Sequence, residues 1–169
     1  MCSLGTGVSV KTNQPMDVLY DEIRQENLDD PKALPQKLLT MLNGGFTEQD
    51  QCVFLALLRK EAPVSRLDFP DCTAYECFVN HIHIEDYLEN GGLPPLEMVG
   101  RGIALARELK ARLSGLHGGK HFRIIVAFDG LTCTVRFHTV RLDEEWIDKN
   151  VNGHRGEAVA VLETQELEP

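Results

Sequence analysis

The chain has 169 residues, of which 43% are hydrophobic and 25% are charged, and its formal net charge at pH 7 is -9. This length and composition are typical of one globular domain with a sizeable core, and they exclude a disordered or fibrous protein. The acidic excess disfavours nucleic acid and anionic membranes as partners, because their phosphates would be repelled, whereas a basic protein would be attracted.

Helical patterns dominate the first third of the chain. Residues 1–14 are small and polar, and either a frayed end or a short strand is expected there. Apolar spacing predicts one helix beginning at Pro15 and a second over Pro35–Leu42. A capping-box pattern opens a third predicted helix over Thr47–Glu61, whose apolar centre indicates burial on more than one side.

The remaining elements alternate between strand and helix patterns. Tyr75–Ile84 alternates in the manner of a strand, and Leu96–Leu113 carries the core stripe of a long helix. His121–Arg141 contains two β-rich runs around Asp129-Gly130, which predicts a hairpin with a type I′ turn. Ala158–Leu162 is the last predicted strand.

These elements predict an α+β fold in which N-terminal helices precede a β-α-β-β-β order with a mostly antiparallel sheet. We expect one domain over residues 1–169. Its helical part spans about 15–62 and its sheet-containing part about 75–163.

Cysteine usage predicts a reducing compartment. The number of cysteines is odd, their spacing is irregular and no Cys-x-x-Cys pair occurs, which favours free thiols in the cytoplasm. No secretory leader or transmembrane run is expected. The five cysteines are Cys2, Cys52, Cys72, Cys77 and Cys133.

The His81-Ile82-His83 pattern is a candidate metal site. On a strand both imidazoles would point to one face, with Glu85 continuing that face and His138 of the hairpin as a third ligand. The alternative is that these are structural or surface histidines. A Cys–His nucleophile is a further alternative, because Cys72 and Cys77 lie close by in the sequence.

Acidic residues surround two aromatic side chains, Tyr87 and Trp146, in a pattern that suits docking of a basic protein. The alternative is that both aromatics fill the core while the acids are simply solvated. Four carboxylates, including Asp148, surround Trp146. The residues expected to contact a partner are Glu85, Asp86, Glu89, Asp143, Glu144, Glu145 and Trp146.

Three arginines lie on or beside the predicted hairpin: Arg123, Arg136 and Arg141. They would either line an anion pocket or pair with acidic side chains across the strands. The neighbouring acidic residues favour pairing.

The block Glu76–Tyr87, together with Phe122–Phe128 and Cys133–Val140 followed by Glu145-Trp146, resembles bacterial immunity proteins of polymorphic toxins, of the contact-dependent inhibition type. The similar region covers about residues 75–163. The resemblance implies a protein that binds and blocks a toxin domain made by the same cell. Immunity proteins are too diverse for any functional position to be carried over.

We therefore expect an acidic cytoplasmic binding protein, without catalytic activity or cofactor, whose partner is a basic protein such as a toxin domain. A metal-dependent enzyme that uses His81, His83 and His138 is the first alternative. A homo-oligomeric structural or regulatory protein is the second.

Overall fold

The fold was analysed in a computed structural model that describes residues 9–89, 92–116, 118–147, 151–154 and 156–165. The strands are β1 (Val10–Thr12), β2 (Phe46–Gln49), β3 (Cys52–Leu55), β4 (Ile82–His83), β5 (Phe122–Phe128), β6 (Cys133–Thr139) and β7 (Ala158–Glu163). Five of them form one sheet in the order β1-β7-β5-β6-β4, with every neighbouring pair antiparallel. Strands β2 and β3 form a separate hairpin. The predicted α+β class is confirmed.

Five α-helices accompany the strands in the described ranges: α1 (Gln14–Glu26), α2 (Gln36–Asn43), α3 (Ala56–Glu61), α4 (Cys72–Val79) and α5 (Pro95–Ser114). Short 3-10 turns occupy Pro31–Ala33, Arg66–Asp68, Ile84–Tyr87 and Val151–Gly153. The predicted positions of α1, α2 and α5 are confirmed to within one or two residues. None of the described helices combines the length and apolar character needed to cross a bilayer.

The main core lies between one face of the five-stranded sheet and the helices α1, α2 and α5. Alternate residues of β5, β6 and β7 face it, including Ile124, Val135 and Ala160, and α5 supplies Ile103 and Leu109. This arrangement follows from the period of two in a strand and the apolar stripe of a helix. The opposite face of the sheet carries a smaller apolar cluster and the polar residues described below.

The predicted hairpin is confirmed, but its turn differs from the prediction. The last pair of the ladder is Phe128 with Cys133, so the loop has four residues rather than two. The Asp129 carboxylate accepts hydrogen bonds from the N–H groups of Leu131 and Thr132, at 2.8 and 2.7 Å. These local bonds favour a longer Asx-type loop over a type I′ turn. Leu131, in the middle of this loop, is exposed.

The helix predicted over Thr47–Glu61 is wrong in its first half. Residues Phe46–Leu55 form the β2–β3 hairpin, and only α3 is helical. Asp50 and Gln51 form a two-residue turn with φ of 53° and 64°, which are the positive angles that a type I′ turn requires. Strand β3 is buried on both faces, so its sequence is a continuous apolar run that resembles a buried helix.

The strand predicted over Tyr75–Ile84 is also wrong in most of its length. Helix α4 occupies Cys72–Val79, and only Ile82–His83 pairs with the sheet. The side chain of Asp71 caps this helix by accepting a 2.7 Å hydrogen bond from the N–H of Ala74. Asp71 precedes the stretch Tyr75–Ile84, whose alternation of apolar residues predicted a strand. The signal for a helix therefore lay outside the segment on which the prediction was based.

Candidate functional site

A row of polar side chains lies on the sheet face opposite α5. Along β6 the residues Thr134, Arg136 and His138 alternate with core residues and therefore point to this outer face. The short edge strand β4 pairs with β6, with Ile82 opposite Val135 and His83 opposite Thr134. This register brings His83, and His81 just before β4, beside β6.

His81 and His83 lie side by side, with ring centroids 4.4 Å apart, so the prediction that both imidazoles share one face is confirmed. Nε2 of His81 lies 3.0 Å from a terminal guanidinium nitrogen of Arg136. A guanidinium only donates hydrogen bonds, so Nε2 of His81 is the acceptor and the neutral ring carries its proton on Nδ1.

The surroundings of this pair keep His81 uncharged at neutral pH. Burial is the main cause that lowers the pKa of His81 to about 4, and the charges of Arg136 and His83 lower it further. Burial also lowers the pKa of Arg136, while the neighbouring Cys77 and Glu157 act in the opposite direction. The contact therefore joins a charged guanidinium to a neutral imidazole, rather than two cations.

Arg136 also contacts the only tryptophan of the chain. Its guanidinium carbon lies 5.1 Å from the centroid of the Trp146 ring, within the range of a cation–π interaction. The Trp146 side chain remains 43% exposed, so one part of the ring is available to another molecule. Of the two alternatives for Trp146, the surface position is the one found.

Two small cavities flank Arg136, and Arg136, Ala127 and Glu157 line both. The larger holds about 200 Å³, and all of its lining residues except Ala127 carry polar side chains. Its other lining residues are His81, His83, Asp129, Thr132 and Thr134. The smaller holds about 90 Å³ beside Trp146, Ile147 and His154. Carboxylates, hydroxyls and imidazoles thus surround one guanidinium, which is a mixed polar surface rather than a plain anion pocket.

The first acidic cluster begins at the end of this row. The Glu85 carboxylate lies 3.8 Å from Nδ1 of His83, and it also accepts a 3.3 Å hydrogen bond from the N–H of Cys133. Asp86 and Glu89 are exposed. Glu85 is therefore held by the sheet edge, while the other two predicted contact residues face solvent.

The second acidic cluster follows β6. Asp143 and Glu145 are exposed, whereas Glu144 is partly buried and hydrogen-bonded to another residue of the chain. Its carboxylate accepts hydrogen bonds from the N–H and the hydroxyl of Thr73, at 2.9 and 2.8 Å. Glu144 thus holds its loop against the start of α4, and Asp148 lies outside the described residues.

Five residues connect these two clusters without a gap, and we call them the polar strip: Glu85, His83, His81, Arg136 and Trp146. Glu85 lies 3.8 Å from His83, and the ring centroids of His83 and His81 are 4.4 Å apart. Nε2 of His81 is 3.0 Å from Arg136, whose guanidinium carbon is 5.1 Å from the centroid of the Trp146 ring. The tertiary structure therefore joins residues that the sequence assigned to two different functions.

The third proposed metal ligand is not part of this strip. His138 lies four residues beyond the partner of His83 on β6, which corresponds to about 13 Å along the strand. It is buried, and its Nδ1 lies 2.8 Å from the carbonyl oxygen of Thr139. In the ranges that the structure describes, no three His, Cys, Asp or Glu side chains are grouped to hold a metal ion.

The contacts of Cys72 and Cys77 give the Cys–His nucleophile no support, since the sulfur of Cys72 lies 3.3 Å from Nε of Arg66 and 3.8 Å from the carbonyl oxygen of Asp50. Cys77 is buried, and burial raises the pKa of its thiol, so the reactive thiolate is disfavoured. The ring of His81 is bound to Arg136, and that of His83 lies against Glu85.

Sequence reasoning missed the residue that positions the loop with Trp146. The Glu76 carboxylate is completely buried and accepts two hydrogen bonds from Arg141, at 2.9 and 3.0 Å. It also accepts from the N–H groups of Val53 and Thr139, at 2.7 and 2.6 Å. A single acid inside the apolar run of α4 was the available signal, because such an acid requires buried donors.

Two of the three arginines pair with an acidic side chain, but only Arg123 does so across the strands as predicted, because the partner of Arg141 is Glu76 of helix α4. Arg123 lies 2.7 Å from the carboxylate of Glu163, and Arg141 pairs with Glu76. Arg136 instead contacts His81 and the Trp146 ring, as described above. The arginine that differs is therefore the one at the centre of the polar strip.

Comparison with known proteins places these residues inside one family match. The chain matches the Uncharacterized protein PM0498 family over residues 11–168, a range that includes the whole polar strip. It is similar to Uncharacterized protein PM0498 of Pasteurella multocida (strain Pm70), with 25% identity over 136 residues. That alignment covers 73% of this chain and 81% of the relative. No solved structure matches the chain.

Proposed function

This chain belongs to the Uncharacterized protein PM0498 family, and we propose that it binds a basic protein through the polar strip and the acids beside it. The partner that we propose is a toxin domain, which the chain would neutralise in the cytoplasm in the manner of an immunity protein. The observation that carries the proposal is the continuous strip that joins two acidic clusters and ends on an exposed Trp146.

Charge complementarity supports a basic partner. The chain has a formal net charge of -9, and Asp86, Glu89 and Asp143 are exposed near the two ends of the strip. Such a surface accelerates the encounter with a cationic protein and disfavours acidic competitors. A cationic active-site cleft that binds phosphates would be blocked by the same surface.

Pre-organisation of Trp146 supports tight binding. The ring lies against the guanidinium of Arg136, and Arg141 and Glu144 hold the preceding residues against α4. An aromatic side chain that is ordered before binding loses little conformational entropy in a complex. Trp146 therefore has the properties of an interface anchor.

The first test is purification of the tagged chain from its native host, followed by the native mass of the product. We expect a stoichiometric complex with a basic protein that high salt dissociates. The captured protein is then expressed alone and together with this chain. Growth arrest in the first case and rescue in the second would support neutralisation, whereas growth without arrest contradicts it.

Matched variants then test the surface. Trp146→Ala should weaken the complex by about tenfold or more, because a central aromatic anchor is lost. The double charge reversal Asp143→Lys/Glu145→Lys should slow association. The control Asp21→Lys/Glu22→Lys changes the same charge on exposed positions of α1 and should leave binding intact. Equal affinities of all three variants would contradict the proposed surface.

The native mass also tests the two alternatives. A chain that emerges alone with one transition-metal ion would contradict the proposal and favour a metal-dependent enzyme that uses His81 and His83. A homodimer without a basic partner would favour a structural or regulatory protein. The described edge strands offer little surface for that dimer, because β1 has three residues and β4 has two.

A further inference from the structure

Two cysteines that are 20 residues apart in the sequence meet between the β2–β3 hairpin and α4. The Sγ atoms of Cys52 and Cys72 lie 3.5 and 3.8 Å from the same carbonyl oxygen, that of Asp50. Sγ of Cys52 is also 4.0 Å from the carbonyl oxygen of Cys72. The tertiary structure therefore places two free thiols beside the same carbonyl oxygen.

The two thiols have different surroundings. Cys52 is completely buried at the start of β3, and this burial is the main cause that raises the pKa of its thiol to about 12. Cys72 is partly exposed at the first residue of α4, and Nε of Arg66 lies 3.3 Å from its sulfur. The thiolate is the nucleophilic form of a cysteine, and the guanidinium of Arg66 is a positive charge that lies beside this sulfur. Cys72 is thus the accessible thiol, and Cys52 is the protected one.

We propose that Cys72 is an oxidation site for hydroperoxides and that Cys52 resolves it by forming a Cys52–Cys72 disulfide. In the first step the Cys72 thiolate attacks the terminal peroxide oxygen, the O–O bond breaks, and the sulfur becomes a sulfenic acid. The leaving alkoxide or hydroxide takes a proton from the solvent and departs as an alcohol or water. In the second step the Cys52 sulfur attacks the Cys72 sulfur and the S–O bond breaks. The leaving hydroxide takes the proton of the Cys52 thiol and departs as water.

The other described cysteines are not candidates for the accessible thiol that reacts first. Cys77 and Cys133 are buried, and burial raises the pKa of both thiols, that of Cys133 to about 12. Oxidation at Cys72 would also affect the loop of Trp146, because the next residue, Thr73, is hydrogen-bonded to Glu144. The site does not depend on the proposed partner, so its test stands apart from that of the proposed function.

The test is oxidation of the purified full chain with a small excess of hydrogen peroxide, followed by alkylation and peptide mapping. Cleavage after Glu76 separates Cys72 from Cys77, so a linked peptide identifies the pair. We expect a Cys52–Cys72 link with a mass lower by two hydrogens, which dithiothreitol reverses. A Cys72–Cys77 link, or Cys72 oxidised to the sulfinic acid while Cys52 stays reduced, would overturn the proposal.

Variants assign the two roles. With Cys52→Ser, dimedone should trap a sulfenic acid on Cys72, and with Cys72→Ser, Cys52 should stay reduced. The matched control Cys77→Ser should form the disulfide at the wild-type rate, and Arg66→Gln should form it several-fold more slowly. A disulfide rate that Arg66→Gln leaves unchanged would contradict the role given to the guanidinium.

A further measurement uses only the wild-type protein, so its result does not depend on whether the variants fold. The disulfide would restrict the unfolded chain between residues 52 and 72, so the oxidised protein should unfold at a higher urea concentration than the reduced one. Identical urea midpoints in a sample that is oxidised at both residues would argue against a bond that fits the native structure.

Discussion

Removal of the Arg141 side chain is the most informative perturbation of this fold. Arg141 donates two hydrogen bonds to Glu76, whose carboxylate is 0% exposed, while Arg141 itself retains 18% of its side-chain exposure. Arg141→Met keeps much of the apolar stem but leaves the buried carboxylate without its counter-charge. Loss of one member of a buried ion pair typically costs about 3–5 kcal/mol.

The lower end of that range is expected here. Glu76 keeps hydrogen bonds from the N–H groups of Val53 and Thr139 and from the Thr139 hydroxyl, and these donors stabilise the remaining negative charge. We therefore expect Arg141→Met to lower the free energy of unfolding by about 3 kcal/mol. For a chain of this size that corresponds to a decrease in Tm of about 6–12 °C.

Urea unfolding followed by circular dichroism measures the effect, with Lys120→Met as the control. Lys120 pairs with Glu48, which is 58% exposed, so that loss should cost at most about 1 kcal/mol. A similar cost for both variants would refute the reasoning that the Glu76–Arg141 pair anchors α4. The double variant Glu76→Gln/Arg141→Met should recover part of the loss, because no buried charge remains unpaired.

Two further predictions concern packing and pH. Gly102→Ala places a Cβ 2.7 Å from Sγ of Cys133 and 3.2 Å from Val126, so it should lower the free energy of unfolding in urea by about 1–3 kcal/mol. The control Gly115→Ala makes no contact under 3.4 Å and should be close to neutral. Equal losses of stability in the two variants would contradict the packing argument. His81 has a pKa of about 4 in the folded chain against its ordinary value of 6.5. The unfolded chain therefore binds more protons between these two values, and the free energy of unfolding falls as the pH decreases through this window. His81→Gln should flatten this part of the curve of Tm against pH, and parallel curves for both proteins would refute the assignment.

Local patterns in the sequence were sufficient to predict the elements that are buried on one face only. The helices α1, α2 and α5 each carry an apolar stripe, and β5 and β6 alternate, so their periods indicate both the element and the buried face. The hairpin pairing followed from the same alternation. Its loop did not, because the side chain of Asp129 competes for the turn N–H groups.

The tertiary structure decided the elements whose sequence lacks a clear period. Strand β3 is buried on both faces and reads like a helix, while α4 is buried on most of its surface and reads like a strand. In both cases distant partners supply the stabilisation. Glu76 of α4 and Asn80, the residue after its end, accept hydrogen bonds from the N–H groups of Val53 and Leu55 in β3.

The same division applies to the candidate site. The sequence alone determined the acidic excess, the two clusters of acids around aromatic residues, and the common face of His81 and His83. Only the tertiary structure decided that Arg136 joins these histidines to Trp146 and that Cys52 meets Cys72. Contacts between residues distant in the chain depend on strand register and on which helix covers which edge. No local period in the sequence records either of these.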